Sequence, residues 1–225
     1  MGQEWHRRLA ARLLCAVAAV VMGCAAMPAG AHPHSWIDIE VEVLFDGAGR
    51  VRALRQGWIF DETYTVYLTS PGGAGRKQAP DAARLAAVAA EMMGNLRAHD
   101  YFTRIERGGE RLMLATVETH GAEIRDARLI VSFELPLAVP ADATAAAVVY
   151  SVFDPTYFIE MVHATDRDAV RLVAAPAGCA AKLRPPAPPA ELKARAAALD
   201  RNQSGGDGLG AEFAEKVSIR CGAAP

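Results

Sequence analysis

His32 and His34 stand two residues apart in His32-Pro33-His34-Ser35-Trp36, and imidazole is a common ligand for zinc, copper, nickel and cobalt. The pair follows Ala29-Gly30-Ala31, a small-x-small pattern of the kind cut by signal peptidases. Cleavage after Ala31 makes His32 the first residue of the mature protein. Its α-amine and a ring nitrogen then sit on one residue, and His34 adds a third nitrogen. Pro33 has no N–H, so chelation through a deprotonated backbone amide is blocked there. A brace of one amine and two imidazoles stays open. An unperturbed α-amine titrates at about pH 8, so occupancy should rise with pH around neutrality. The competing expectation is an exposed terminus whose histidines bind nothing, because chain ends are commonly untethered.

Asp154, in Asp154-Pro155-Thr156-Tyr157, is the second candidate. Asp before Pro forms turns, and its carboxylate can accept from nearby N–H groups. The sharper role is an oxygen ligand, or a partner that orients a ligating histidine. His120 and His163 lie in strand-like contexts and read as surface or satisfied structural residues. His99 ends a helix, where a cation suits the dipole. There is no Gly-x-Ser-x-Gly and no His-Glu-x-x-His, and Gly72-Gly73-Ala74-Gly75 lacks the context of a phosphate loop. No carboxylate pair announces acid–base work. The expectation is a protein that is not an enzyme.

The elements around these residues point to export. Arg7, Arg8 and Arg12 precede a short apolar run, Leu13 to Gly23, too short for a membrane span, and no second span follows. The expected organisation is a signal peptide over 1–31 and one periplasmic domain over 32–225, with no transmembrane segment after cleavage. A rival is lipidation of Cys24 in Val21-Met22-Gly23-Cys24, a lipoprotein-like box. Ordinary cleavage leaves Cys179 and Cys221, and two cysteines in an oxidising compartment favour one disulfide. A thiolate metal site would want a close Cys-x-x-Cys pair, which is lacking. With 24 basic and 26 acidic side chains, nothing suggests a nucleic-acid partner.

Alternation of Ile37, Ile39, Val41 and Val43 with Asp38, Glu40 and Glu42 predicts a half-buried strand, and His32 and His34 share the polar parity. Asp46-Gly47-Ala48-Gly49 turns the chain into a second strand, Val51 to Phe60. Asp61 or Thr63 can cap a short helix, and Pro80-Asp81 starts a longer one with Leu85, Val88, Ala89, Met92 and Leu96 on its apolar face. Tyr101 to Glu106 and Arg111 to Glu118 predict a second hairpin. A strand over Arg128 to Leu135 is expected to end at Pro136 and Pro140. Further strands are expected around Asp154-Pro155 and at 169–173. The C-terminal part reads as a short helix at Glu191 to Leu199, a flexible loop from Asn202 to Gly208, and a closing strand. The fold class is α+β: a mostly antiparallel β-sheet domain with two to four helices, stapled by one disulfide.

Several of these segments together resemble a family. They are His32-Pro33-His34-Ser35-Trp36-Ile37-Asp38, Gly57-Trp58-Ile59-Phe60-Asp61-Glu62, Asp100-Tyr101-Phe102-Thr103, Phe153-Asp154-Pro155-Thr156-Tyr157-Phe158 and the paired Cys179 and Cys221. The whole mature chain resembles domain-of-unknown-function family one thousand and seven, exported bacterial proteins described as the periplasmic component of an uncharacterised ABC-type transport system. Members tend to be encoded beside nickel/cobalt-type or zinc transporters. The resemblance implies an accessory of divalent transition-metal traffic, with nickel, cobalt, zinc or copper as cofactor and an inner-membrane metal transporter as partner. Many members carry an Asp-rich, calcium-loop-like stretch where this chain has Ser70 to Pro80, which holds no carboxylate. No calcium is expected there, because hard cations need oxygen ligands. The alternative function is a metal-free interaction module, docking on a transporter or another envelope protein through Trp36, Trp58, Tyr64 and Tyr67.

Overall fold

Period-two alternation builds the first strand as expected. In β1 (Ser35–Phe45) the odd-numbered positions from Ser35 to Val43 are buried, and Trp36, Asp38, Glu40 and Glu42 face outward. The computed structural model describes residues 35–70, 80–199 and 203–222. His32, His34, the cleavage site, Cys24 and residues 71–79 lie outside the described residues. The Asp46 carboxylate accepts from Ala48 N and Arg50 N and closes the turn into β2 (Val51–Phe60). Asp61 then caps α1 (Glu62–Thr69), and Asp81 caps α2 (Ala82–Leu96), each accepting from an N–H three residues on.

Two sheets enclose one core. The first has six strands in the order β5 (Thr119–Arg125), β6 (Arg128–Ala141), β2, β1 and β8 (Ile159–His163), with β9 (Val170–Val173) also on β1. The second runs β10 (Cys179–Arg184), β11 (Lys216–Cys221), β7 (Val148–Val152), β3 (Thr103–Arg107) and β4 (Glu110–Arg111). Most pairings are antiparallel, but β8 and β9 run parallel to the two halves of β1. Ile37, Leu54, Phe133 and Leu135 of the first sheet meet Ile105, Tyr150 and Ile219 of the second, and α2 adds Val88, Ala89, Met93 and Leu96. With α3 (Ala190–Ala197) and α4 (Leu209–Glu212), the described residues hold four α-helices in a mixed α+β fold. Cys179 and Cys221 are cross-strand partners on β10 and β11 and form the disulfide.

Three local expectations differ from the structure. Pro136 does not end β6. It sits opposite Ala53 where the β2–β6 register shifts, and a proline without N–H is tolerated at such an irregularity. Tyr101 is not extended. Asp100, Tyr101 and Phe102 all adopt the left-handed region, turning the chain so that Tyr101 enters the core and β3 begins at Thr103. The Tyr101 hydroxyl accepts from Val117 N at 3.1 Å, a buried contact that compensates this strained backbone. The second hairpin is correspondingly short: β4 is two residues long, and residues after it reach β6 through Ala115 N to Pro136 O instead.

Candidate functional site

The corner at the start of β1 is built from β1, β8 and the capped end of α1. Ser35, bonded covalently to His34, opens β1 and pairs in register with Ile159 of β8. Its hydroxyl donates to Asp61 Oδ2 at 3.3 Å, while Asp61 Oδ1 accepts from Tyr64 N as the cap of α1. Asp61 is only partly buried, so its carboxylate keeps accepting capacity beside Ser35. Asp61 and Asp154 both act electrostatically on Tyr64, whose hydroxyl is pushed up mainly by burial, then by Tyr67 and these two carboxylates. On the other side of Ser35, the Trp36 indole donates to Glu160 at 2.9 Å.

Asp154 underlies this corner. Its Oδ1 accepts from Thr156 N and Thr156 Oγ1, and its Oδ2 from Phe158 N and Ile159 N, all between 2.9 and 3.1 Å. Only 5% exposed, the carboxylate holds the turn that delivers Ile159 to Ser35. Two acceptor sites per oxygen are thereby filled, as the turn-capping role requires. The residues thought to be a flexible loop back this turn. Gly205 N donates to Thr156 O, and Gly208 N and Gly210 N both donate to Pro155 O. Gly210 packs so close that a Cβ there would overlap the Asp154 carbonyl. Tyr157 stacks on Phe213 at 4.2 Å above a small second cluster with Ala196 and Leu209.

The polar face of β1, which carries the parity of the histidines, is already paired. Asp38 binds Arg128, Glu40 binds Arg167, and Glu42 is shared by Arg55 and Arg171, at 2.8 to 3.0 Å. These arginines come from β2, β6, β9 and the loop before β9, so no periodicity within β1 could show them. Among the described residues, no group of three or more His, Cys, Asp and Glu is arranged to hold a metal.

His163 is buried and satisfied. Its Nε2 lies 3.0 Å from the Tyr150 hydroxyl, and Glu215 Oε2 receives both its Nδ1, at 2.8 Å, and its backbone N–H, at 2.7 Å. A carboxylate only accepts, so Nδ1 carries a proton. Burial alone would raise the Glu215 carboxyl, but the two His163 hydrogen bonds and the ring's charge hold it below its ordinary value. The Tyr150 hydroxyl is pushed up by burial and by Glu215. Sequence reasoning missed this chain because Glu215 lies 52 residues from His163. Of the proposed aromatic surface, Trp58 is buried at 2% and Tyr64 is half-buried on Phe60, leaving Trp36 and Tyr67 exposed.

A cavity of about 650 Å³ opens beside the corner, between α1, α2 and the β1–β2 hairpin. Ile37, Trp58 and Phe60 form its floor, and Tyr64, Met92 and Phe102 its walls. Met92, read as a core residue, faces this space, whereas its neighbour Met93 faces the core.

Residues 17–221 match the family described as "Protein of unknown function (DUF1007)". An uncharacterized protein of Haemophilus influenzae (strain ATCC 51907 / DSM 11121 / KW20 / Rd) is 27% identical over 194 residues, which span 85% of this chain and 91% of that protein.

Proposed function

The chain belongs to the DUF1007 family of proteins of unknown function, and we propose that it is a periplasmic accessory of divalent transition-metal transport, binding its ion through the N-terminal His32 and His34. The observation that carries this reading is the seating of Ser35. The residue after His34 is pinned by β-pairing to Ile159 and lies 3.3 Å from the Asp61 carboxylate. Two imidazoles and an amine joined to such an anchored, carboxylate-bearing base form a borderline-soft donor set that suits nickel, cobalt, zinc or copper. Asp61 supplies an oxygen or orients an imidazole. Asp154 acts one layer below, by holding the Ile159 turn. The partner is an inner-membrane metal transporter, to which the ion is handed or from which it is received.

Titration of the exported protein with these four ions, with its N-terminal mass measured in parallel, tests the reading. A chain starting at His32 should bind one ion, more tightly at pH 8 than at pH 6. His32→Ala with His34→Ala should abolish binding, and Asp61→Asn should weaken it by roughly 10-fold. Unchanged binding by the double variant overturns the proposal.

The alternative is a metal-free docking module, favoured by the exposure of Trp36 at 50% and Tyr67 at 70%. Capture of a transporter that survives chelator and the histidine double variant would select it.

A further inference from the structure

The cavity beside the corner has chemistry of its own, separate from the metal reading. At about 650 Å³ it falls among pockets that take small organic ligands, about 300–1,000 Å³. Its surface is mainly aromatic and aliphatic, and among the described residues one cation lines it: Arg84, in the first turn of α2. The Arg84 Nη2 donates to the Leu68 carbonyl at 3.0 Å, which holds the guanidinium across the gap between α1 and α2. Its Nε is buried, and among the described residues it has no hydrogen-bond partner. A buried donor left without an acceptor is rare in folded proteins, and a charged one is the least tolerable case. An anion bound in the cavity beside this guanidinium would offset its charge.

The rest of the lining limits that ligand. Glu91 and Asn95 stand on the same face of α2 as Arg84, with Val88 and Met92 between them. Seven residues separate Arg84 from Glu91, about 10 Å along a helix. A single negative group fits at the Arg84 end. A second would approach Glu91, and among the described residues no further cation lines the cavity to offset it. The space between is floored by Trp58 and Phe60, which favours an apolar body. Trp58 is itself fixed, donating from Nε1 to Gln56 at 3.0 Å, so the floor is preformed.

We propose that this cavity binds an amphiphilic monocarboxylate, an alkyl or aryl acid whose carboxylate pairs with the Arg84 guanidinium and whose apolar body lies over Trp58 and Phe60. Decanoate is the probe, with decanol and decyltrimethylammonium as matched bodies of other charge. Calorimetric titration of the mature chain should show saturable one-to-one binding of decanoate, accompanied by a change in Trp58 fluorescence. Decanol should bind roughly 10- to 100-fold more weakly, the equivalent of one lost hydrogen bond to a charged group. Arg84→Gln should bring decanoate down to the decanol level and leave decanol unaffected. Met92→Trp, which fills the cavity, should abolish both while the far-UV circular dichroism stays that of the parent. Binding should persist in the His32→Ala, His34→Ala variant with chelator present, which separates this site from the metal reading. Equal affinity for the carboxylate and the ammonium, no saturable binding, or indifference to Arg84→Gln overturns it. So does sedimentation with phosphatidylglycerol vesicles without decanoate binding, which would assign the apolar face to a membrane.

Discussion

Replacing Asp154 by Asn separates a structural carboxylate from a metal ligand. The native carboxylate accepts four hydrogen bonds, two on each oxygen. Asn keeps one oxygen and sets an NH2 group against two donors on the other side, so two bonds are lost and two N–H groups face a third donor. Hydrogen bonds to charged groups contribute about 1.5–3 kcal/mol each, and because Phe158 and Ile159 are partly exposed, the lower end applies. The expected loss is about 3 kcal/mol. For a domain of about 150–250 residues this lowers Tm by about 6–12 °C. Thermal unfolding followed by circular dichroism measures it, and calorimetric titration at 20 °C, where the variant is still folded, measures metal affinity. The prediction is a lower Tm with metal affinity within about 3-fold of the parent. A Tm within about 2 °C of the parent, combined with a metal affinity reduced by 10-fold or more, would show that Asp154 serves the ion and refute the reasoning.

Further outcomes follow from neighbouring contacts. Gly210→Ala drives a methyl into the Asp154 carbonyl and should destabilise the fold by about 3 kcal/mol in chemical denaturation, with Gly47→Ala, which meets open space, as the harmless control. Glu215 has a folded pKa below its ordinary value of 4.5, so its contribution to stability is present above that pH and is lost as pH falls through the lower folded value. Glu215→Gln should therefore flatten the acid limb of a stability–pH profile below about pH 4.5, while destabilising the protein at pH 7. Reducing Cys179–Cys221, which closes a separation of 42 residues, should remove about 4 kcal/mol on the chain-entropy account, and a Cys179→Ser, Cys221→Ser variant should become indifferent to reductant.

Local signals in this chain were legible because local chemistry produces them. Alternation along Ser35–Phe45 marks a strand with one buried face, and Asp46, Asp61 and Asp81 bind backbone N–H groups two to four residues away. The cysteine pair was legible from the expectation of export, which leaves two cysteines to pair. What failed or stayed hidden required knowledge of who lies opposite. Pro136 survives in β6 because the register against β2 shifts there. Trp58 looks like any aromatic on an alternating strand, yet it is buried, packing edge-on against Phe133 of β6. His163 could be called satisfied, but its partners Tyr150 and Glu215 come from β7 and the segment before β11.

By itself the sequence determined the strand that begins at Ser35, the caps, the disulfide partners and the motif in which two histidines precede that strand. Each depends on residue type and on spacings of a few positions, which the backbone reads directly. Tertiary structure alone decided what surrounds the start of that strand. It filled the acceptor sites of Asp154 with its own turn, gave the carboxylates of β1 to arginines from distant elements, and set Asp61 beside Ser35. Among the described residues it also left Arg84 Nε without a partner, on a residue that lines an aromatic cavity. Partner choice of this kind is settled by sheet order and helix docking, free energies summed over many long-range contacts, and no local pattern records it.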